Sequence, residues 1–73
     1  MTDEIFVNLL DEGVDVWRAV LAERLHGGVY RIVQQPYDRN VETWRFGPGE
    51  DVVCELIDSS DGRILAATRR AEA

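Results

Sequence analysis

Residues 9–28, LLDEGVDVWRAVLAERLHGG, admit two readings, and the choice between them decides the fold. As a helix over 15–26, Asp15 would cap the first turn and Trp17, Val20, Leu21 and Leu25 would line one face, with Gly27 and Gly28 ending it. As a strand, VDVWRAVLA offers the β-branched Val14, Val16 and Val20. A bulge near Arg18 or Ala19 would then keep Trp17 and Val20 on one side, and AERL (22–25) would be a short helical turn. Local propensity leans slightly to helix. The flanking segments lean the other way.

Upstream, EIFVNLL (4–10) alternates, with Ile5, Val7 and Leu9 opposite Phe6, Asn8 and Leu10, which is the period of a strand. DEG (11–13) reads as a turn. Downstream, GVYRIVQQ (28–35) is a strand by composition, PYDRN (36–40) a loop, and VETWRF (41–46) a strand with Trp44 and Phe46 on one face. GPGE (47–50) is a tight turn and DVVCELID (51–58) a strand with Val52, Cys54 and Leu56 toward the core. SSDG (59–62) is a hairpin turn, RILAATR (63–69) the closing strand, and 70–73 a frayed tail.

Residues 1–73 thus read as a single small domain of five or six short antiparallel strands. Alternating βαβ units are absent, which argues against a parallel sheet. An open sheet this small cannot hide both faces, whereas curling it removes the edges and encloses one core. The sequence therefore predicts an all-β fold, a small SH3-like barrel. Its rival is a bent antiparallel sheet with one helix at 15–26.

The run VNLLDEGVDVWRAVLAERL, followed by VYRI, ETWRFGPGEDVVCEL and DGRILAA, resembles a group of short uncharacterised bacterial proteins. They share LLDEG before VWR, then W-x-F-x-PG-x-x-V, then a DG hairpin, and the likeness covers residues 7–67. In that group proline often follows VWR, where this chain has Ala19. Proline is hostile to a helix interior and tolerable at a strand bulge, so the resemblance implies a strand and a small SH3-like barrel. It implies no activity.

Hydrophobic residues make up 45% of the chain, which fits a folded globule, and no apolar run approaches a membrane span. MTDEIF lacks the basic start of a signal peptide, and the lone Cys54 suits a reducing compartment, so the expected location is the cytoplasm with no membrane partner. One cysteine forms no intrachain disulfide, and a domain of this size hides only about 60% of its unfolded surface. A well-packed core or a homodimer would supply the missing stability. The net charge of −6 weighs against nucleic acid, although a local basic patch can outweigh the total. All eight basic residues are arginine.

Cys54 and His26 are the one pair for thiol chemistry, but Cys54 falls at an inward strand position and reads as a small core residue. Asp11, Glu12 and Asp15 lack the spacing of a calcium loop. GPG (47–49) is too short for a phosphate cradle, and the chain has no lysine to complete one. No catalytic residue, metal site or cofactor is expected. The informative set is aromatic: Trp17, Tyr30, Tyr37, Trp44 and Phe46, with Arg31, Arg39 and Arg45 around it. Core filling is the ordinary fate of the tryptophans, and pairing with carboxylates across the sheet the ordinary fate of the arginines. Tyr37, in a polar loop beside Pro36, is the aromatic expected to be exposed. The expected function is a non-enzymatic protein- or peptide-interaction module binding through Tyr37, Trp44, Arg39 and Arg45. A regulatory nucleic-acid-binding barrel and a structural subunit of an oligomer are the alternatives.

Overall fold

In the computed structural model, which describes residues 2–10, 16–60 and 62–71, the segment WRAVLAERLH is a strand from end to end. Six strands follow one another: β1 (Asp3–Leu10), β2 (Trp17–His26), β3 (Val29–Ile32), β4 (Thr43–Trp44), β5 (Asp51–Ser59) and β6 (Gly62–Arg70). The described residues contain no helix, so none that could cross a membrane. The expected DEG turn and the acidic residues Asp11, Glu12 and Asp15 lie outside the described residues.

β1 pairs with β2, β2 with β3, β3 with β5 and β5 with β6, all antiparallel, and β6 returns to β1 in parallel at Phe6↔Ala66. These five strands close a ring, and β4 adds to the end of β1 through Leu9↔Trp44 and Leu10↔Thr43. The fold is an all-β small barrel, as the sequence predicts, with one parallel pair among the antiparallel ones. Parity requires that pair: when five strands alternate in direction, the first and the fifth run the same way.

Two details of β2 differ from expectation. Its pairing with β1 runs without a shift from Asp3↔Ala22 to Asn8↔Trp17, so there is no bulge at Arg18 or Ala19. Trp17 and Val20 consequently lie on opposite faces: Val20 is in the core and Trp17 is half-buried outside it. AERL is extended, and the only irregularity comes later, between Arg24 and His26. Regular pairing wins because Val20 and Ala22 already meet Ile5 and the inward side of β1, and a bulge would orphan ladder groups without adding burial.

The inner face collects Ile5, Val7 and Leu9 from β1, Val20 and Ala22 from β2, Ile32, Val52, Cys54 and Ala67, with Trp44 and Phe46 closing one end. The alternation expected of 41–46 places Trp44 and Phe46 together in the core, although only Thr43 and Trp44 pair as a strand. Leu56, expected on the core face, is 65% exposed because β5 has run past the end of β3. On the outside, Phe6 sits in register between Ala19 and Ala66 and is half-buried, and Ala66 is fully buried.

The turns obey local rules. Glu50 N–H donates to the Gly47 carbonyl at 3.2 Å, and Gly49 takes φ +90°, where a side chain would be strained. Ser59 pairs with Gly62 across the expected hairpin. Fraying does not begin at residue 70: Arg70 belongs to β6 and Ala71 N–H donates to the Asp51 carbonyl at 2.9 Å.

Candidate functional site

The loop from Val33 to Glu42 leaves β3 and lies over one end of the barrel. Gln35 ties its start to β2: its side-chain amide donates to the Leu21 carbonyl at 2.9 Å and accepts from the Leu21 N–H at 3.0 Å. A side-chain amide thus takes the place of the next peptide group of β3. Beyond it, Asp38 organises a turn, with its carboxylate accepting from Asn40 N–H at 2.9 Å and its carbonyl from Val41 and Glu42 N–H at 3.1 Å each.

That turn aims Tyr37 back at β4. Its ring stacks on Trp44 with centroids 4.1 Å apart and planes 14° from parallel, and its hydroxyl accepts the Trp44 N–H at 2.6 Å. Trp44 is 7% exposed, which removes it from the recognition surface on which the sequence placed it. Two physical causes hold it in. Pairing with Leu9 turns its side chain to the core, and its indole N–H, the one polar atom of the ring, donates to Glu42 at 2.7 Å. Tyr37 itself is half-buried. With Trp44 on one face of its ring, the other face is left to the Arg39 guanidinium, whose Cζ lies over the ring 4.8 Å from the centroid. Neither face is open, and what Tyr37 offers is its edge, in a shallow depression with Pro36, Asp38, Arg39 and Asn40.

Glu42 links this stack to β2. Arg18 donates to both of its carboxylate oxygens, at 3.0 and 2.7 Å. The Arg18 hydrogen bond first, and the Trp44 indole second, hold the Glu42 carboxyl below the usual range. On the neighbouring turn, burial pushes the Glu50 carboxyl up, but the Gly47 N–H and the Arg70 guanidinium outweigh it and the net direction is down. Asp51 is likewise lowered by Arg31, its register partner across β3 and β5. Groups with depressed folded pKa values contribute stability that is complete above the ordinary carboxylate range and is lost as pH falls through it. The melting temperature is therefore expected to drop from about pH 5 downward. Glu42→Gln, which keeps an acceptor for the indole but no charge for Arg18, should flatten that drop when melting is followed by circular dichroism between pH 3 and 7.

The arginines sort into three groups. Arg18, Arg31, Arg63 and Arg70 pair with Glu42, Asp51, Asp58 and Glu50. Arg24 donates to the Gly27 carbonyl. Arg39, Arg45 and Arg69 have no carboxylate partner among the described residues. Two of these three sit on aromatic rings at the same end of the barrel: Arg39 over Tyr37, and Arg45 with its Cζ 5.1 Å from the Phe46 centroid. Arg31, grouped with them in the sequence, is diverted to Asp51.

Of the four residues expected to form a binding surface, the structure brings Tyr37, Trp44 and Arg39 into one stack, leaves Arg45 on Phe46, and withdraws Trp44 from solvent. Arg18, Gln35 and Glu42 escaped the sequence reading; for Glu42, its position two residues before Trp44 in an alternating run was the available signal. Burial pushes the Cys54 thiol up to about 11, which leaves it protonated and unreactive at neutral pH. No group of three or more potential metal ligands occurs among the described residues. Comparison of the chain with protein-family models, with curated proteins and with solved structures gave no match.

Proposed function

We propose that this chain is a non-catalytic interaction module that binds a protein or peptide at the Tyr37 end of its barrel, through Arg39, Arg45 and the edge of Tyr37. The observation that carries the reading is the pair of guanidinium groups, Arg39 and Arg45, that lack carboxylate partners among the described residues and rest on aromatic rings in a molecule of net charge −6. A guanidinium already laid on a ring has lost part of its freedom before binding, and its fork of N–H donors suits a carboxylate. The complementary partner is a segment bearing aspartate or glutamate. The nucleic-acid alternative has less support, because a base would need a free aromatic face and both faces of Tyr37 are covered.

An NMR titration with an aspartate-rich decapeptide tests the reading. Amide shifts should cluster at Tyr37, Arg39 and Arg45 and vanish in the double variant Arg39→Glu, Arg45→Glu, whose fold should survive because both side chains are exposed. Shifts elsewhere, or none, would count against it. Salt-sensitive binding of single-stranded RNA at these residues, with no response to the peptide, would favour the alternative.

A further inference from the structure

β5 carries a second feature, built from residues other than those of the Tyr37 surface. β3 covers β5 only from Asp51 to Val53. One more bond follows, Cys54 N–H to the Gly28 carbonyl at 2.8 Å. Backbone groups two residues apart in a strand point to the same side. The N–H and C=O of Leu56 and of Asp58 therefore point to the same side as Cys54 N–H, past the end of β3. Glu55, Ile57 and Ser59 point to β6, consistent with the two-residue hairpin that closes at Ser59↔Gly62. Among the described residues, Leu56 and Asp58 have no backbone partner on the open side. A barrel is expected to remove its edges, and among the described residues this one keeps a short open stretch.

The side chains on that stretch are distinctive. Leu56 is 65% exposed and lies on the inward face, where a neighbouring strand would cover it. Asp58 shares its face and, among the described residues, is held by a 3.5 Å contact with Arg63. Glu55, on the other face, accepts from Thr68 Oγ1. Natural sheets blunt such edges with proline, bulges or charged side chains; of the two open residues here only Asp58 is charged, with Glu55 beside it. A second copy of the chain is a poor occupant, since pairing β5 with itself would crowd four carboxylates, Glu55 and Asp58 of each copy, along one ribbon of an acidic molecule.

We infer that the open edge of β5 at residues 55–58 accepts an extended basic peptide as an added strand. Main-chain hydrogen bonds to Leu56 and Asp58 hold it, an apolar residue covers Leu56, and a cation two positions away meets Asp58. The peptide Thr-Arg-Thr-Val-Thr-Arg-Thr presents that pattern in either direction, and Thr-Glu-Thr-Val-Thr-Glu-Thr is its control. By amide hydrogen exchange, the arginine peptide should slow the Leu56 and Asp58 amides, and it should bind about tenfold more tightly than the control. Leu56→Pro should abolish binding, because it deletes an N–H that faces the open side and leaves the β6 ladder intact. Asp58→Arg, which keeps every backbone group, should reverse the preference toward the glutamate peptide, so the test stands even if the proline variant misfolds. Arg39→Glu should leave this binding unchanged, which separates it from the Tyr37 surface. Equal binding of both peptides, absence of slowing at Leu56 and Asp58, or protection of those amides in a dimer formed without peptide would overturn the inference.

Discussion

Trp44→Ala is expected to cost about 3–5 kcal/mol, a large share of the stability of a domain this size, and to leave the barrel largely unfolded at 37 °C. The indole closes one end of the core and supports the Tyr37 ring at 4.1 Å. Removing it opens a cavity that Leu9 and Phe46 cannot fill, and it takes away the ring on which the 33–42 loop rests. Glu42 loses its indole partner as well. Trp44→Phe is the informative comparison: it keeps a ring for Tyr37 to stack on and loses only the N–H and part of the area, so about half the cost or less is expected. Urea titration should give a lowered midpoint for both variants, ordered Ala below Phe below the parent. Parent-like stability of Trp44→Ala would mean that the indole does not occupy the core.

The second large effect is a contrast between adjacent residues. Val20→Pro should cost about 3 kcal/mol or more, whereas Ala19→Pro should cost about 1 kcal/mol or less. The reason is which way each N–H points. Leu21 turns its N–H and carbonyl to Gln35 and Val33, away from β1. Ala19, two residues earlier, turns the same way and gives nothing to the β1 ladder. Val20 points to β1, where its register partner is Ile5, and its side chain is buried. A proline at 20 therefore deletes a ladder bond and empties part of the core, while a proline at 19 falls on an open edge. A helix would make no such distinction, since neighbouring interior positions suffer alike. Thermal melts of the two variants suffice to check it.

The turns and most strands were legible in the sequence because their signals are local. Gly49 and Gly62 have the positive φ that their turns need, and the alternation of EIFVNLL and of the segment after Asp51 matches the burial of Ile5, Val7, Val52 and Cys54. The segment 15–26 was ambiguous for a physical reason. Two of the four residues of the apparent helical stripe, Leu21 and Leu25, are 46% and 38% exposed, so their apolarity carries no information about the core. The residues that do report burial there are Val20 and Ala22, and Ala22 is too small to mark an alternating pattern with Val20. The bulge at Arg18 or Ala19 was expected in order to bring Trp17 to the core side, but the core is closed by Trp44 instead.

The candidate site was legible as a list of residues and illegible as an arrangement. Composition put Tyr37, Trp44, Arg39 and Arg45 together, but exposure depended on which partner each would find. Trp44 could be buried because Glu42, two residues before it, satisfies its N–H, and Glu42 in turn is held by Arg18 from a strand 24 residues away in sequence. Tyr37 lost its free face to the same packing. No local pattern encodes the Gln35 amide standing in for a peptide group, nor the early end of β3 that opens the edge of β5.

The account rests on a ring of strands in which 17–26 is extended between β1 and β3. Nuclear Overhauser contacts on uniformly labelled protein test this most directly. Cross-strand contacts linking Ile5 with Val20, Ala22 with Ile32 and Phe6 with Ala66 are expected, the last marking closure of the ring. Sequential amide–amide contacts with (i, i+3) connectivities running from Trp17 to His26, and no contact between Phe6 and Ala66, would contradict it.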